Sequence, residues 1–114
     1  MYGLPPNFDA TGFIGKTLDL LVVGKWQLTL RFSEDCTINI EGKIAVNSEA
    51  PIYLPNSLAA AYQLINQVVD SASGTEDGTL TLHFGNGSTL RVFDSQEKFE
   101  SYNFNMNGEG LIVV

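Results

Sequence analysis

Gly78–Val92 reads GTLTLHFGNGSTLRV, and its alternation decides how the chain folds. Leu80, Leu82 and Phe84 alternate with Thr79, Thr81 and His83, the period of a strand with one buried face. Leu90 and Val92 alternate with Thr89 and Arg91 on the return, and Asn86-Gly87 between the two runs is a strong hairpin signal. Parity sets the loop length. A two-residue loop opposes Phe84 to Thr89 and splits the apolar residues between two faces. A three-residue loop, Gly85-Asn86-Gly87, pairs Phe84 with Ser88, Leu82 with Leu90 and Leu80 with Val92, so all aliphatic residues share one face. Gly87 then takes the left-handed position that closes the loop.

The same grammar occurs at Trp26–Ile40, WQLTLRFSEDCTINI. Phe32 pairs with Cys36, Leu30 with Ile38 and Leu28 with Ile40, and Asp35 takes the left-handed position. Residues 28–40 and 80–92 share five of thirteen positions without a gap. The match extends backwards. Leu4-Pro5-Pro6-Asn7-Phe8 resembles Leu54-Pro55-Asn56-Ser57-Leu58, Gly15 falls where Asn66 falls, and Thr17-Leu18-Asp19 falls where Val68-Val69-Asp70 falls. The expected order in each copy is helix, strand, hairpin. Asn7 or Asp9 caps the first, short helix, which carries Phe8, Phe13 and Ile14 and stops at Gly15. Ser57 caps the second, whose stripe is Leu58, Tyr62 and Ile65. Taken alone, the run to Ala72 reads as one long helix; the repeat ends it near Asn66 and starts a strand at about Gln67. Further strands are expected at Lys16–Val23 and Lys43–Val46.

After Val92 the copies diverge. Asp94–Lys98 reads as a polar turn, and Glu100–Met106 alternates with Tyr102, Phe104 and Met106 on one face. Asn107–Gly110 reads as a turn. Leu111–Val114 is apolar on both faces, which predicts a central or covered strand and makes a homodimer plausible. The expected architecture is one α+β domain, 1–114, with a mainly antiparallel sheet. It is built from two duplicated helix–strand–hairpin units, about 4–46 and 54–96, plus a C-terminal hairpin at 99–114.

At 114 residues the chain can bury roughly two-thirds of its unfolded surface. Its 44% apolar and 17% charged residues are those of a folded globular protein. No apolar run reaches the ~18 residues of a membrane span, and the N-terminus lacks the basic and apolar regions of a signal peptide. Cys36 is the single cysteine, so there is no disulfide framework, which fits a cytoplasmic protein. A net charge of −7 argues against nucleic acid as a partner and suits a basic protein.

Sites for chemistry are scarce. His83, the one histidine, lies on the polar face of its strand, where the first copy carries Arg31. A position that takes either residue suits a solvated or partner-facing surface better than a metal ligand. Cys36 matches Ser88 at a hairpin corner, with no neighbouring cation to activate a thiolate. Gly85-Asn86-Gly87 precedes no helix, so it is no phosphate loop. The acidic pairs Glu34-Asp35 and Glu76-Asp77 sit on turns without calcium-loop spacing. Trp26 shares the phase of Leu28 and Leu30, which places it in the core, and Tyr102 with Phe104 reads the same way. Arg31, His83 and Tyr102 are the candidate partner-facing residues. No catalytic residue, metal or cofactor is expected.

Three groups of residues resemble a family of small uncharacterised bacterial proteins, a domain of unknown function. They are Gly15 and Leu18 leading to Gly24-Lys25-Trp26-Gln27 and Phe32; Ile40-Glu41-Gly42; and Asp77-Gly78-Thr79-Leu80 through Gly87, closed by Phe99-Glu100-Ser101-Tyr102. The chain departs from that family in carrying Tyr102 where members have Trp and in a shorter C-terminal end. The resemblance implies a shared fold and no activity. Such proteins look similar to immunity proteins of bacterial toxin systems. The expected function is therefore a non-enzymatic protein-binding module of immunity-inhibitor type. Alternatives are a self-associating accessory protein and, third, an enzyme using His83.

Overall fold

The computed structural model describes Leu4, residues 8–94, 101–106 and 111–114. A 3-10 turn (Thr11–Phe13) precedes β1 (Leu18–Val23), β2 (Leu28–Phe32), β3 (Cys36–Ile40) and β4 (Ile44–Val46). Helix α1 (Asn56–Tyr62) precedes β5 (Val69–Gly74), β6 (Leu80–Phe84), β7 (Thr89–Val92), β8 (Tyr102–Asn105) and β9 (Leu111–Val113). Two sheets form, in the orders β1-β2-β3-β8-β9 and β4-β7-β6-β5. Their neighbours pair antiparallel throughout, so the domain is α+β with a strong β majority. The expected cap at Asn7, the polar turn beyond Asp94 and the turn at Asn107–Gly110 lie outside the described residues.

Both hairpins take the register that face matching demands. Leu28, Leu30 and Phe32 oppose Ile40, Ile38 and Cys36, and Leu80 and Leu82 oppose Val92 and Leu90. All are buried in one core cluster. The Phe84 N–H donates to Ser88 O (2.8 Å), and Gly87 has φ +90°, which closes the three-residue loop. In the first hairpin Asp35 is left-handed at φ +58°, as expected, but Glu34 is too, at +60°. A Glu34 Oε2–Lys16 Nζ ion pair of 3.2 Å accompanies that second left-handed residue.

The hairpins exchange strands. Leaving the first, β4 pairs with β7; leaving the second, β8 pairs with β3. The edge strands are tied by matched hydrogen bonds. Gly15 N–H donates to Val69 O and Asn66 N–H to Leu18 O, both at 2.8 Å; Val69 N–H donates to Lys16 O (2.8 Å) and Leu18 N–H to Gln67 O (3.0 Å). Gly15 (φ +84°) and Asn66 (φ +69°) are both left-handed. A register slip follows in each edge strand, between Leu18 and Leu20 in β1 and between Val69 and Ser71 in β5. The 3-10 turn packs against β5 and α1 against β4. Phe13 stands edge-on to Phe32 and tilted against Phe104.

Four expectations need correction. Ser57 is no N-cap: α1 starts at Asn56, no side chain caps it, and Ser57 is buried inside it. Its core face is Ser57, Ala61 and then Leu64, which turns the stripe Leu58, Tyr62, Ile65 away from the interior; Tyr62 is 70% exposed. Trp26 is 75% exposed. The Gly24 N–H donates to Gln27 O (2.8 Å), so Lys25 and Trp26 form the turn itself and strand alternation starts only at Leu28. Cys36 is no exposed edge residue but fully buried opposite Phe32. Finally, β9 is an edge strand, not a central one. Its Val114 is nonetheless buried, its N–H donating to Tyr102 O at 2.8 Å.

Candidate functional site

The residues singled out by sequence lie apart. Arg31 is on the outer face of the five-stranded sheet, between Leu20 and Thr37. His83 is on the outer face of the other sheet, between Ser71 and Thr89, with Nδ1 3.2 Å from Thr89 Oγ1. Tyr102 is no partner-facing residue; its position in β8 turns it into the core, where it is fully buried and its hydroxyl donates to Gly78 O at 2.7 Å. Burial pushes its ionisation above the ordinary tyrosine range, and the charges of Asp94 and Asp77 add to the push. Among the described residues no three His, Cys, Asp or Glu side chains gather as a metal site.

The carboxylates occupy separate turns. Asp77 accepts from the Thr75 hydroxyl and the Thr79 N–H, and Asp9 from the Thr11 N–H (2.9 Å). These bonds favour the charged forms and hold both carboxyls below their usual range. The outer face of the larger sheet carries an amide ladder instead of charge. Thr29 Oγ1 donates to Asn39 Oδ1 (2.7 Å), and Asn39 Nδ2 donates to Asn103 Oδ1 (2.8 Å).

The concave surface lies elsewhere, along β1. Between β1 and α1 runs an apolar groove of about 610 Å³, walled by Leu20 and Leu21 on one side and Leu58, Tyr62 and Ile65 on the other. Pro55 joins it to a second cleft of about 550 Å³, where Trp26 and Tyr53 are exposed. Lys25 Nζ lies 5.2 Å from the Trp26 ring and Lys43 Nζ 5.4 Å from that of Tyr53. Both volumes are in the range of ligand and peptide sites. Leu20, Val22 and Val23 are 43–52% exposed on a sheet edge, where apolar residues are a liability unless covered.

Local sequence builds this groove. The helix buries small residues, Ser57 and Ala61, so it can sit close to β4, and its large residues point sideways toward β1. Sequence reasoning found the stripe but assigned it to the core. The signal that distinguishes the two is the neighbouring Ser57-Ala61-Leu64 stripe, equally well spaced for a helix.

The edge of β1 also offers backbone groups. Hydrogen-bonded pairs alternate along an antiparallel ladder. With Gly24 bonded to Gln27, Val22 and Leu20 turn their amides toward β2. Leu21 and Val23 therefore turn theirs outward, to a side where no described strand lies.

No helix among the described residues is long and apolar enough to cross a membrane. Neither the curated proteins nor the solved structures hold a match to this chain. A family model does match, over residues 12–114, and the chain belongs to that family, DUF6188, a family of unknown function.

Proposed function

We propose that this chain is a non-enzymatic protein-binding module, and that the groove beside β1 is its binding face. The observation that carries this reading is an apolar edge strand left open beside a groove, with Trp26, Tyr53 and Tyr62 exposed around it. Tyr and Trp are the residues that dominate protein interfaces when they anchor in partner pockets. We read the fold behind it as two related units, 4–46 and 54–96, that swap their last strands. The paired hydrogen bonds at Gly15 and Asn66 and the identical burial patterns of β2 and β6 support that reading. The finer assignment is an immunity-type inhibitor of a basic toxin, working in the cytoplasm. Its support is the net charge of −7, which would speed encounter with a basic partner while the groove supplies the contact.

The test is affinity capture from the source cell, with the wild-type chain and the double variant Trp26→Ala, Tyr62→Ala as baits. A stoichiometric partner held by the first and lost by the second is expected, and a basic, toxin-like partner supports the inhibitor assignment. Equal capture by both baits removes the groove from the reading.

Self-association is the second reading. Both edges of the larger sheet carry exposed apolar residues, Val23 in β1 and Val113 in β9. Light scattering decides it: a monomer at high concentration excludes this reading.

A further inference from the structure

We infer that the groove takes its partner as an extended apolar segment, which adds as a strand to β1 and seats a large side chain between β1 and α1. The inference rests on the protein-binding reading and on the two-unit reading above, and names the mode and the chemistry of the ligand. Three observations carry it. First, Leu21 and Val23 turn their backbone N–H and C=O groups to the open side of β1, the requirement for strand addition. Second, the apolar groove borders that edge, so a side chain of the added strand has a seat at Leu20, Leu58 and Tyr62. Third, the molecule fills the matching place on its other sheet by itself. The counterpart of Val23 at the end of β5 is Gly74, where a Cβ would stand 2.6 Å from Leu4 Cδ1 and 2.8 Å from Phe8 Cδ2. Leu4 is buried, and the Phe8 ring stands 5.3 Å from that of Phe104. On the α1 side Leu58 takes the place of Phe8, and the groove stays open. What covers one edge from within is a segment bearing Leu and Phe, and an apolar segment of like size is what the other edge accepts from outside.

The polar ends restrict the ligand further. Asp19 lines one mouth of the groove, and Lys25 lies at the far end of the joined cleft. The favoured segment carries a cation near Asp19 and an anion near Lys25, with apolar residues at alternate positions between them.

The experiment is selection of a phage-displayed random nonapeptide library against the full chain, followed by anisotropy with the enriched peptides. Val23→Pro removes an outward N–H without touching the β1–β2 ladder, because Pro is tolerated on the open side of an edge strand. It should weaken binding about tenfold, the loss of one well-made hydrogen bond. Leu58→Asp and the surface variant Tyr62→Ala should also weaken it by about tenfold or more, while His83→Ala leaves it unchanged. Enriched peptides should show large apolar residues at i and i+2. No enrichment, or enriched peptides that bind Val23→Pro and Tyr62→Ala as tightly as wild type, overturns the inference. A dimer that Val23→Pro dissociates assigns the edge to a second copy and also overturns it. If affinity capture of a cellular partner survives in Val23→Pro and Tyr62→Ala, the protein-binding reading stands and strand addition at β1 fails.

Discussion

Replacing Tyr102 with Phe tests the core of this fold at one atom. The Tyr102 side chain is fully buried, its hydroxyl donates to Gly78 O at 2.7 Å, and its ring stacks on Phe104 at 6.0 Å. Phe keeps the ring and removes the donor. The Gly78 carbonyl then loses a partner in a place water does not reach, which costs about 1–2 kcal/mol. For a domain of this size each kcal/mol moves the midpoint by about 4 °C, so Tm should fall by about 4–8 °C. Thermal unfolding followed by far-UV circular dichroism reads this directly, and urea unfolding with an unchanged slope confirms that only stability has moved. The same hydroxyl makes an alkaline prediction. Its pKa is raised in the folded state, so the native chain keeps a proton that the unfolded chain releases. Its contribution is full below the unfolded tyrosine value near pH 10 and declines as pH rises beyond it, by about 1.4 kcal/mol per pH unit. The Phe variant should lack that component and lose stability less steeply above about pH 10. An unchanged Tm together with an unchanged alkaline profile refutes the buried hydroxyl and the docking of β8 that depends on it.

Two glycines in left-handed geometry should respond differently to Ala. At Gly78 (φ +92°) a Cβ meets Asp94 Cβ at 2.5 Å, so strain and a clash combine and the loss by urea unfolding should exceed about 2 kcal/mol; at Gly87 (φ +90°) nothing lies within 4 Å and about 1 kcal/mol of backbone strain remains. Cys36 is buried, so a thiol reagent should label it only on the timescale of unfolding, as followed by absorbance, and Cys36→Ser should cost about 1–3 kcal/mol through a buried hydroxyl. Asp77 should titrate below 3.8 by carboxyl-carbon NMR. Its folded value is depressed, so whatever it adds to stability is present above its unfolded value and is lost as pH falls through the folded one. Trp26→Ala should change stability by less than about 0.5 kcal/mol, since the ring is 75% exposed, and its fluorescence should be quenched readily by iodide.

The hairpins were legible because parity and turn residues act locally: a one-residue slip would have put Leu82 and Leu90 on opposite faces. The end of the α1 region near Asn66 was legible only by matching it to Gly15, and both residues proved to be left-handed. Trp26 was misread because its phase fits β2 while its place in the turn does not; alternation carries no mark of where a strand begins. Ser57 and the helical stripe failed for a related reason. Two stripes of equal spacing compete on α1, and the choice between them is made by close packing on β4, a contact remote in sequence. Cys36 and Tyr102 are buried by pairing partners brought in by the strand exchange, which no local pattern announces. The groove was illegible for the same reason, since β1 and α1 meet only in the folded chain.

The central claim is that partners bind along β1 and α1, and photo-crosslinking tests it at single positions. A photoreactive amino acid is placed at Tyr62 in one variant and at His83 in another, and each chain is irradiated in its source cell. Both side chains are exposed, and they lie on different parts of the surface. The groove predicts a discrete covalent adduct from position 62 and none from position 83. An adduct from position 83 alone would move the binding face to the outer side of the smaller sheet and contradict this account.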